Sequence, residues 1–199
     1  MDDVVIIGGG IIGVATAYFL SKEGRKVKVI EKDPSYKEAS FPLSLGGFRR
    51  QFFQKENILL GKFARDFIFQ IPELLKTKKN PNPTASMVAN GYLLMFGPEH
   101  AEEQYRALEN HKECGAGTKN IKGSELSKVF SYINDEGIET ATYTDDKSEG
   151  WIDPFMFHGA LKSKATELGA EFIKGEVKEI SEINAKIIIS AAGCWTKKI

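Results

Sequence analysis

Three glycines in the order Gly8-x-Gly10-x-x-Gly13, followed by an acid at Glu31, are the residues of this chain with the clearest chemical meaning. At that spacing Gly8 permits a tight turn, Gly10 lets backbone come close to a pyrophosphate, and Gly13 lets a helix pack closely on a strand. Ile11 and Ile12 open that helix, whose first N–H groups and positive dipole end favour an anion. Glu31 stands 18 residues after Gly13, where a carboxylate can accept hydrogen bonds from the hydroxyls of an adenosine ribose. Together these features describe a dinucleotide site. The acid disfavours a 2′-phosphate, and hence NADP, but leaves NAD and FAD both open.

Such a site needs a strand, a turn, a helix and a second strand, and the first thirty residues supply them. Asp3 to Ile7 is a β-branched apolar run of the kind buried on both faces of a parallel sheet. Ile11 to Glu23 reads as a helix ending at Gly24, and Lys26 to Ile30 as the next strand. Val4 to Leu20 is also 17 residues without charge, close to the length of a membrane span. Asp2 and Asp3 precede it where a signal peptide carries positive charge, and its glycines weaken any helix drawn straight through. No transmembrane segment or targeting signal is expected.

Lys32 to Gly47 reads as a loop with Pro34 and Pro42, and loops of this length in compact domains are usually functional. Glu56 to Leu75 is expected to be one amphipathic core helix, with Leu60, Phe63, Ala64, Phe67, Ile68 and Ile71 on its apolar face. After an exposed connection at Thr77 to Ser86 come a strand (Gly91 to Phe96), two helices (Glu99 to Cys114, Ser124 to Phe130) and a strand (Ile138 to Tyr143). This α+β pattern differs from the βαβ start and reads as part of a second domain. Asp153-Pro154 offers an N-cap and a proline at the first helical position, opening a helix to about Leu168. Glu171 to Lys174, Glu176 to Ile180 and Lys186 to Ser190 are strand candidates. The expected order is therefore dinucleotide fold (1–80), insertion (81–150) and return to the dinucleotide fold (151–199).

Composition narrows the partners. Lys and Arg number 27 and Asp and Glu 27, which leaves no basic excess for nucleic acid. Cys114, Cys194 and the three histidines form no ligand-spaced cluster, so neither a structural metal nor a disulfide framework is expected. Cys194 reads as a small buried residue with no activating base beside it. His158 reads as a packing residue and Trp151 as core.

A resemblance sharpens the cofactor. Glu31-Lys32-Asp33, Ala39-Ser40, Ser44-Leu45-Gly46-Gly47, Arg49-Arg50-Gln51-Phe52, Glu149 to Pro154, and Ala191-Ala192-Gly193-Cys194-Trp195 resemble segments of the D-amino-acid-oxidase-like FAD-dependent oxidoreductases. The resemblance implies an α/β chain: a Rossmann-like FAD-binding domain of the D-amino-acid-oxidase type with part of an α+β substrate domain inserted. It implies FAD, with Lys32, Ser40, Ser44 and Trp195 among its contacts and Gly46 and Gly47 against the isoalloxazine ring. Val177 would present its backbone to the adenine, and Ala192 and Gly193 would bring small residues to the cofactor or the glycine turn. Arg49 would lie near the flavin or the substrate carboxylate and is the candidate catalytic residue, while Arg50 reads as a surface charge.

The implied activity is oxidation of an amine or amino acid by hydride transfer to flavin N5. Tyr36, Glu56-Asn57-Ile58, Gly91 to Leu94 and Gly150-Trp151 are in register with one group of that family, associated with assembly of mitochondrial respiratory complex I. That register implies complex I subunits as partners and a mitochondrial location, with the cytoplasm as the alternative because no Arg-rich leader is visible. The resemblance covers half or less of the family's length, so the chain is expected to be an N-terminal portion, with an inactive fragment as the remaining alternative.

Overall fold

The structure, a computed structural model, describes residues 2–199. In chain order its elements are β1 (Asp2–Ile7), α1 (Ile11–Lys22), β2 (Val27–Glu31), β3 (Gly47–Phe48), α2 (Lys55–Phe69), α3 (Ile71–Leu74), β4 (Leu93–Phe96) and α4 (Pro98–Glu113). There follow β5 (Lys119–Lys122), α5 (Gly123–Val129), β6 (Thr140–Tyr143), β7 (Gly150–Trp151), α6 (Pro154–Glu167), β8 (Glu171–Lys174) and β9 (Ala185–Ser190). They form two compact units, residues 2–46, 70–86 and 153–199 in one and residues 47–69 and 87–152 in the other.

The first unit is a four-stranded parallel sheet in the order β8-β2-β1-β9. β1 lies between β2 and β9, with Val4 opposite Val27 on one side and Ile187 on the other. Val4 and Ile6 on one face of β1 and Val5 on the other are all buried, as in a parallel strand enclosed on both sides. Each such side chain contributes about 1.5–3 kcal/mol of apolar burial. On α1, Val14, Ala17, Tyr18 and Ser21 recur at three- and four-residue spacing and are buried, and the helix packs against α6. Asp153 caps α6 as its sequence suggests, its Oδ1 accepting the Met156 N–H at 2.8 Å, with Pro154 in the first turn.

The second unit holds a three-stranded antiparallel sheet, β4-β6-β5, over a small core of Ile121, Leu126 and Ala141, together with a two-stranded ladder, β3-β7. Residues 47–69 belong here and not to the first unit, contrary to the expected boundary at residue 80: β3 pairs with β7, and α2 packs on β3 and α4.

Three local expectations are corrected. The helix expected over Glu56 to Leu75 breaks at Gln70, because Pro72 at the start of α3 supplies no N–H and its ring crowds the carbonyl four residues earlier. Its apolar face is also only partly core: Ile58, Phe67 and Ile68 are buried, but Leu60 and Phe63 are 65% and 58% exposed. Glu176 to Ile180 is not a strand, since the chain leaves the sheet after β8, where the Gly175 N–H donates to the Glu31 carbonyl at 3.0 Å. Trp151 is 44% exposed, not core, because it pairs within a two-stranded ladder that leaves a face uncovered.

Glycines give a direct test of this packing. A Cβ at Gly150 would stand 1.9 Å from the Val88 carbonyl oxygen, whereas one at Gly159 in α6 meets nothing within 4 Å. Gly150→Ala is expected to cost about 1–3 kcal/mol. Gly159→Ala is expected to stabilise by about 0.4–1 kcal/mol, so that urea unfolding midpoints move in opposite directions.

Candidate cofactor site

A cleft of about 300 Å³ opens at the C-terminal ends of the parallel strands in the first unit. β1 is the strand at which chain order reverses, with β2 to one side and β9 to the other, and ligands of open parallel sheets bind at such a point. The turn after β1 leaves no room for a side chain at two of its glycines. Gly8 has a φ of +99°, and a Cβ there would lie 2.5 Å from the Ala191 carbonyl oxygen. A Cβ on Gly13 would lie 1.9 Å from the Gly8 carbonyl oxygen. Gly13 is therefore a packing glycine behind the cleft and does not line it. Gly10 is the opposite case: its missing side chain faces open space, and it lines the cleft with Gly8, Ile11 and Ile12.

α1 begins at this point with no side-chain cap. Its first-turn N–H groups and the positive end of its dipole therefore stand ready for an anion at the cleft wall. Glu31 at the end of β2 accepts the Gly9 N–H on Oε2 at 2.6 Å and the Asp33 N–H on Oε1 at 2.7 Å. Each carboxylate oxygen keeps a further acceptor site, which suits ribose hydroxyls. Lys32 lies over the Trp195 ring at 4.5 Å from its centroid, and both line the cleft. Ser40, Val177, Ala192 and Gly193 line it as well. Gly175 to Lys178, expected in part as a strand, serve instead as cleft wall.

Ser44, Gly46 and Gly47 do not line this cleft. The Ser44 hydroxyl donates to the Phe41 carbonyl at 2.8 Å and accepts the Gly46 N–H at 3.2 Å, which shapes the loop locally. Gly47 belongs to the second unit, where it lines a separate pocket with Phe48, Arg49, Phe52 and Tyr92. There the Arg49 guanidinium lies 4.8 Å from the Phe52 ring centroid, and its buried Nε has no hydrogen-bond partner among the described residues. Arg50 is buried, not a surface charge: it pairs with Asp146 at 2.9 Å and donates to Ser148. Cys194 is exposed, not buried, because it sits in a helical turn after the edge strand β9.

Tyr36 and Phe41 also line the cleft, and sequence assigned neither of them to it. Tyr36 has a φ of +57° and is buried, a conformation that bulky residues rarely adopt without surrounding support. Its hydroxyl accepts from Lys162 Nζ at 3.1 Å. A tyrosine after an acid-ended strand is a weak signal on its own, so only the tertiary contact identifies it.

A strand–turn–helix with an uncapped helix end and a strand-end carboxylate defines a dinucleotide-binding protein, and the comparisons make the class specific. The chain belongs to the family of FAD dependent oxidoreductases, whose sequence profile matches residues 3–199. It is 37% identical over 238 residues to FAD-dependent oxidoreductase domain-containing protein 1 of Xenopus laevis, covering 99% of this chain and 47% of that protein. The protein of the same name from Bos taurus is 31% identical, with 100% and 48% covered. The chain thus spans about half the length of these relatives.

Among solved structures it is similar to L-proline dehydrogenase from P. horikoshii (TM-score 0.80, 27% identity, 100% of this chain and 54% of that one). It also shares the fold of glycine oxidase from Geobacillus kaustophilus (TM-score 0.79, 20% identity, 98% and 56%). FAD is the cofactor of this family, and the cleft fits its ADP half. Gly10 and the α1 N-terminus would take the pyrophosphate, Glu31 the ribose, and the Val177 segment the adenine. Among the described residues, no helix is long and apolar enough to cross a membrane.

Replacing Glu31 tests this assignment. Gln at position 31 keeps the shape but turns one of two acceptor oxygens into a donor, leaving the Gly9 or the Asp33 N–H unsatisfied. Glu31→Gln is expected to weaken FAD binding about tenfold, read by quenching of flavin fluorescence.

A second test is pH. Burial holds the imidazoles of His111 and His158 below the usual histidine value, against the opposing effects of their bonds to the carbonyls of Phe52 and Gly9. Glu149 raises the first, while Lys162 lowers and Glu31 raises the second, by smaller amounts. Below about pH 6.5 the unfolded chain takes up protons that the folded chain still refuses, so stability must fall as pH falls through this range. The urea midpoint is expected to drop from pH 7.5 to 5.5, and to drop less in a His111→Gln/His158→Gln double variant.

Proposed function

We propose that this chain carries the FAD-binding portion of an enzyme that oxidises an amine or an amino acid, hydride passing from the carbon that bears nitrogen. The observation that carries the reading is the glycine turn at β1, closed behind by Gly13 and Ala191 and open in front at Gly10, with Glu31 beside it. Bound flavin supplies the two-electron acceptor, and the residues of the chain bind and orient. The likeness to L-proline dehydrogenase supports a substrate of amino-acid type.

Arg49 is the residue we assign to the substrate carboxylate. Its guanidinium lies against the faces of Phe52 and Tyr92, 4.8 and 6.0 Å from the ring centroids, in a pocket that also holds Asn57 and Leu60. A planar fork held against aromatic walls, with a buried N–H still unpaired, is suited to receive a planar anion.

The experiment is anaerobic titration of the flavin-loaded chain with a panel of amines and amino acids, following bleaching of the oxidised flavin band. A substrate that bleaches the band supports the proposal. Arg49→Met is then expected to raise the half-saturating concentration of a carboxylate substrate between tenfold and a hundredfold and to leave that of a carboxyl-free amine unchanged. Flavin that stays oxidised with every compound, in a chain that co-purifies with respiratory complex I subunits from mitochondria, overturns it in favour of an assembly role.

A further inference from the structure

His158 is the one histidine of the first unit. It projects from the second turn of α6, is buried, and plays no part in the oxidation proposed above. Its Nε2 lies 2.8 Å from the carbonyl oxygen of Gly9, the central residue of the glycine turn, 149 positions away in sequence. The ring is stacked on Phe41, with centroids 4.5 Å apart and planes within 11°, and meets the edge of Tyr36 at 4.5 Å. Both aromatic neighbours line the cofactor cleft, whereas Gly9 itself does not. The imidazole is thus held from two sides with its N–H aimed at the back of the turn.

We infer that His158 is a positioning residue for cofactor phosphates, fixing the Gly9–Gly10 peptide so that the Gly10 N–H faces the cleft. The geometry follows from peptide planarity. The bond is trans, so the Gly10 N–H points opposite to the Gly9 carbonyl that His158 holds, and because Gly10 lines the cleft we place that N–H on the cleft side. The preceding peptide is fixed independently, because the Gly9 N–H donates to Glu31 Oε2 at 2.6 Å. Two side chains, one from β2 and one from α6, therefore lock the peptides on either side of Gly9. Glycine has the freest backbone of any residue, and without such a clamp the orientation of the Gly9–Gly10 peptide would have to be set by the phosphates at the expense of affinity. A carbonyl acceptor needs a donor here, so the neutral imidazole must carry its proton on Nε2.

The inference rests on the FAD assignment, and the test separates the two. Binding of FAD, ADP and adenosine to the 199-residue chain is measured for wild type, His158→Phe, which keeps the ring and removes the donor, and His158→Gln, whose side-chain amide can donate from a similar distance. The expected result is that His158→Phe weakens FAD and ADP about tenfold and adenosine less than twofold, and that His158→Gln restores FAD and ADP to within about threefold of wild type.

A folded His158→Phe that binds FAD as wild type does overturns the inference, as does equal weakening of adenosine and ADP, or a Gln variant no better than Phe. Nitrogen NMR of the wild-type histidine gives a readout that needs no variant to fold: the Nε2–H tautomer is required, and an Nδ1–H tautomer overturns the inference. Wild type that binds neither FAD nor ADP overturns the cofactor assignment itself.

Discussion

At the C-terminal end of β1 three stretches of backbone come closer together than any side chain would allow. The Gly8 carbonyl oxygen lies where a Cβ on Gly13 would be, and the Ala191 carbonyl crowds the Cβ position of Gly8. This contact draws the start of α1 onto the end of β1 and sets both against the end of β9. The parallel register continues the same join, with the Gly8 N–H donating to the Ile30 carbonyl and the Ala191 N–H to the Ile7 carbonyl, each at 2.8 Å. A helix end can present bare N–H groups to a cleft only if its first turn is held at the sheet, and here backbone packing holds it. The cleft walls contributed by Glu31, Val177 and Ala192 follow from strands whose ends this join aligns.

Much of this was legible in the first thirty residues because the signals there are local. A β-branched run, a glycine spacing and an acid at the end of the next strand each act within a few residues of one another, and the strands and α1 fall within two residues of their expected limits. The Asp153-Pro154 start of α6 is local in the same sense. Where spacing misled, a distant partner decided. Leu60 and Phe63 have the periodicity of a core face, yet periodicity records only that a face is apolar and not what covers it. Lys119 to Lys122 is too charged to read as a strand, and it becomes one because β6 offers an antiparallel partner in register.

The polar interior of the second unit was wholly hidden from sequence. Glu149 is fully buried, and its carboxylate accepts from the Arg50 N–H at 2.6 Å, the Gln51 amide at 2.7 Å and the Thr144 hydroxyl at 3.0 Å. Burial of a carboxylate is tolerable only with such compensation. Two of its partners lie almost a hundred positions earlier in the chain, so no window of sequence contains both the charge and its donors. The same separation explains why Arg50 reads as a surface charge until Asp146 and Ser148 are seen beside it. His158 is the corresponding case in the first unit, since its acceptor is a main-chain atom near the opposite end of the chain.

The first unit is assembled from three separated stretches of chain, and its cleft is lined both by Ile7 and Gly8 early in the chain and by Ala191, Ala192, Gly193 and Trp195 late in it. The residues of this chain in the second unit end at 152. Synthesis at about 5–20 residues per second therefore delivers these residues roughly 2–8 seconds before the end of β9, so the strand that flanks β1 arrives after them. During that interval β1 has β2 beside it but lacks its other neighbour. An unpaired strand as apolar as Val4 to Ile7 is a template for wrong pairing. The order of synthesis thus makes the glycine turn, the earliest part of the cofactor cleft to leave the ribosome, one of the last to be closed.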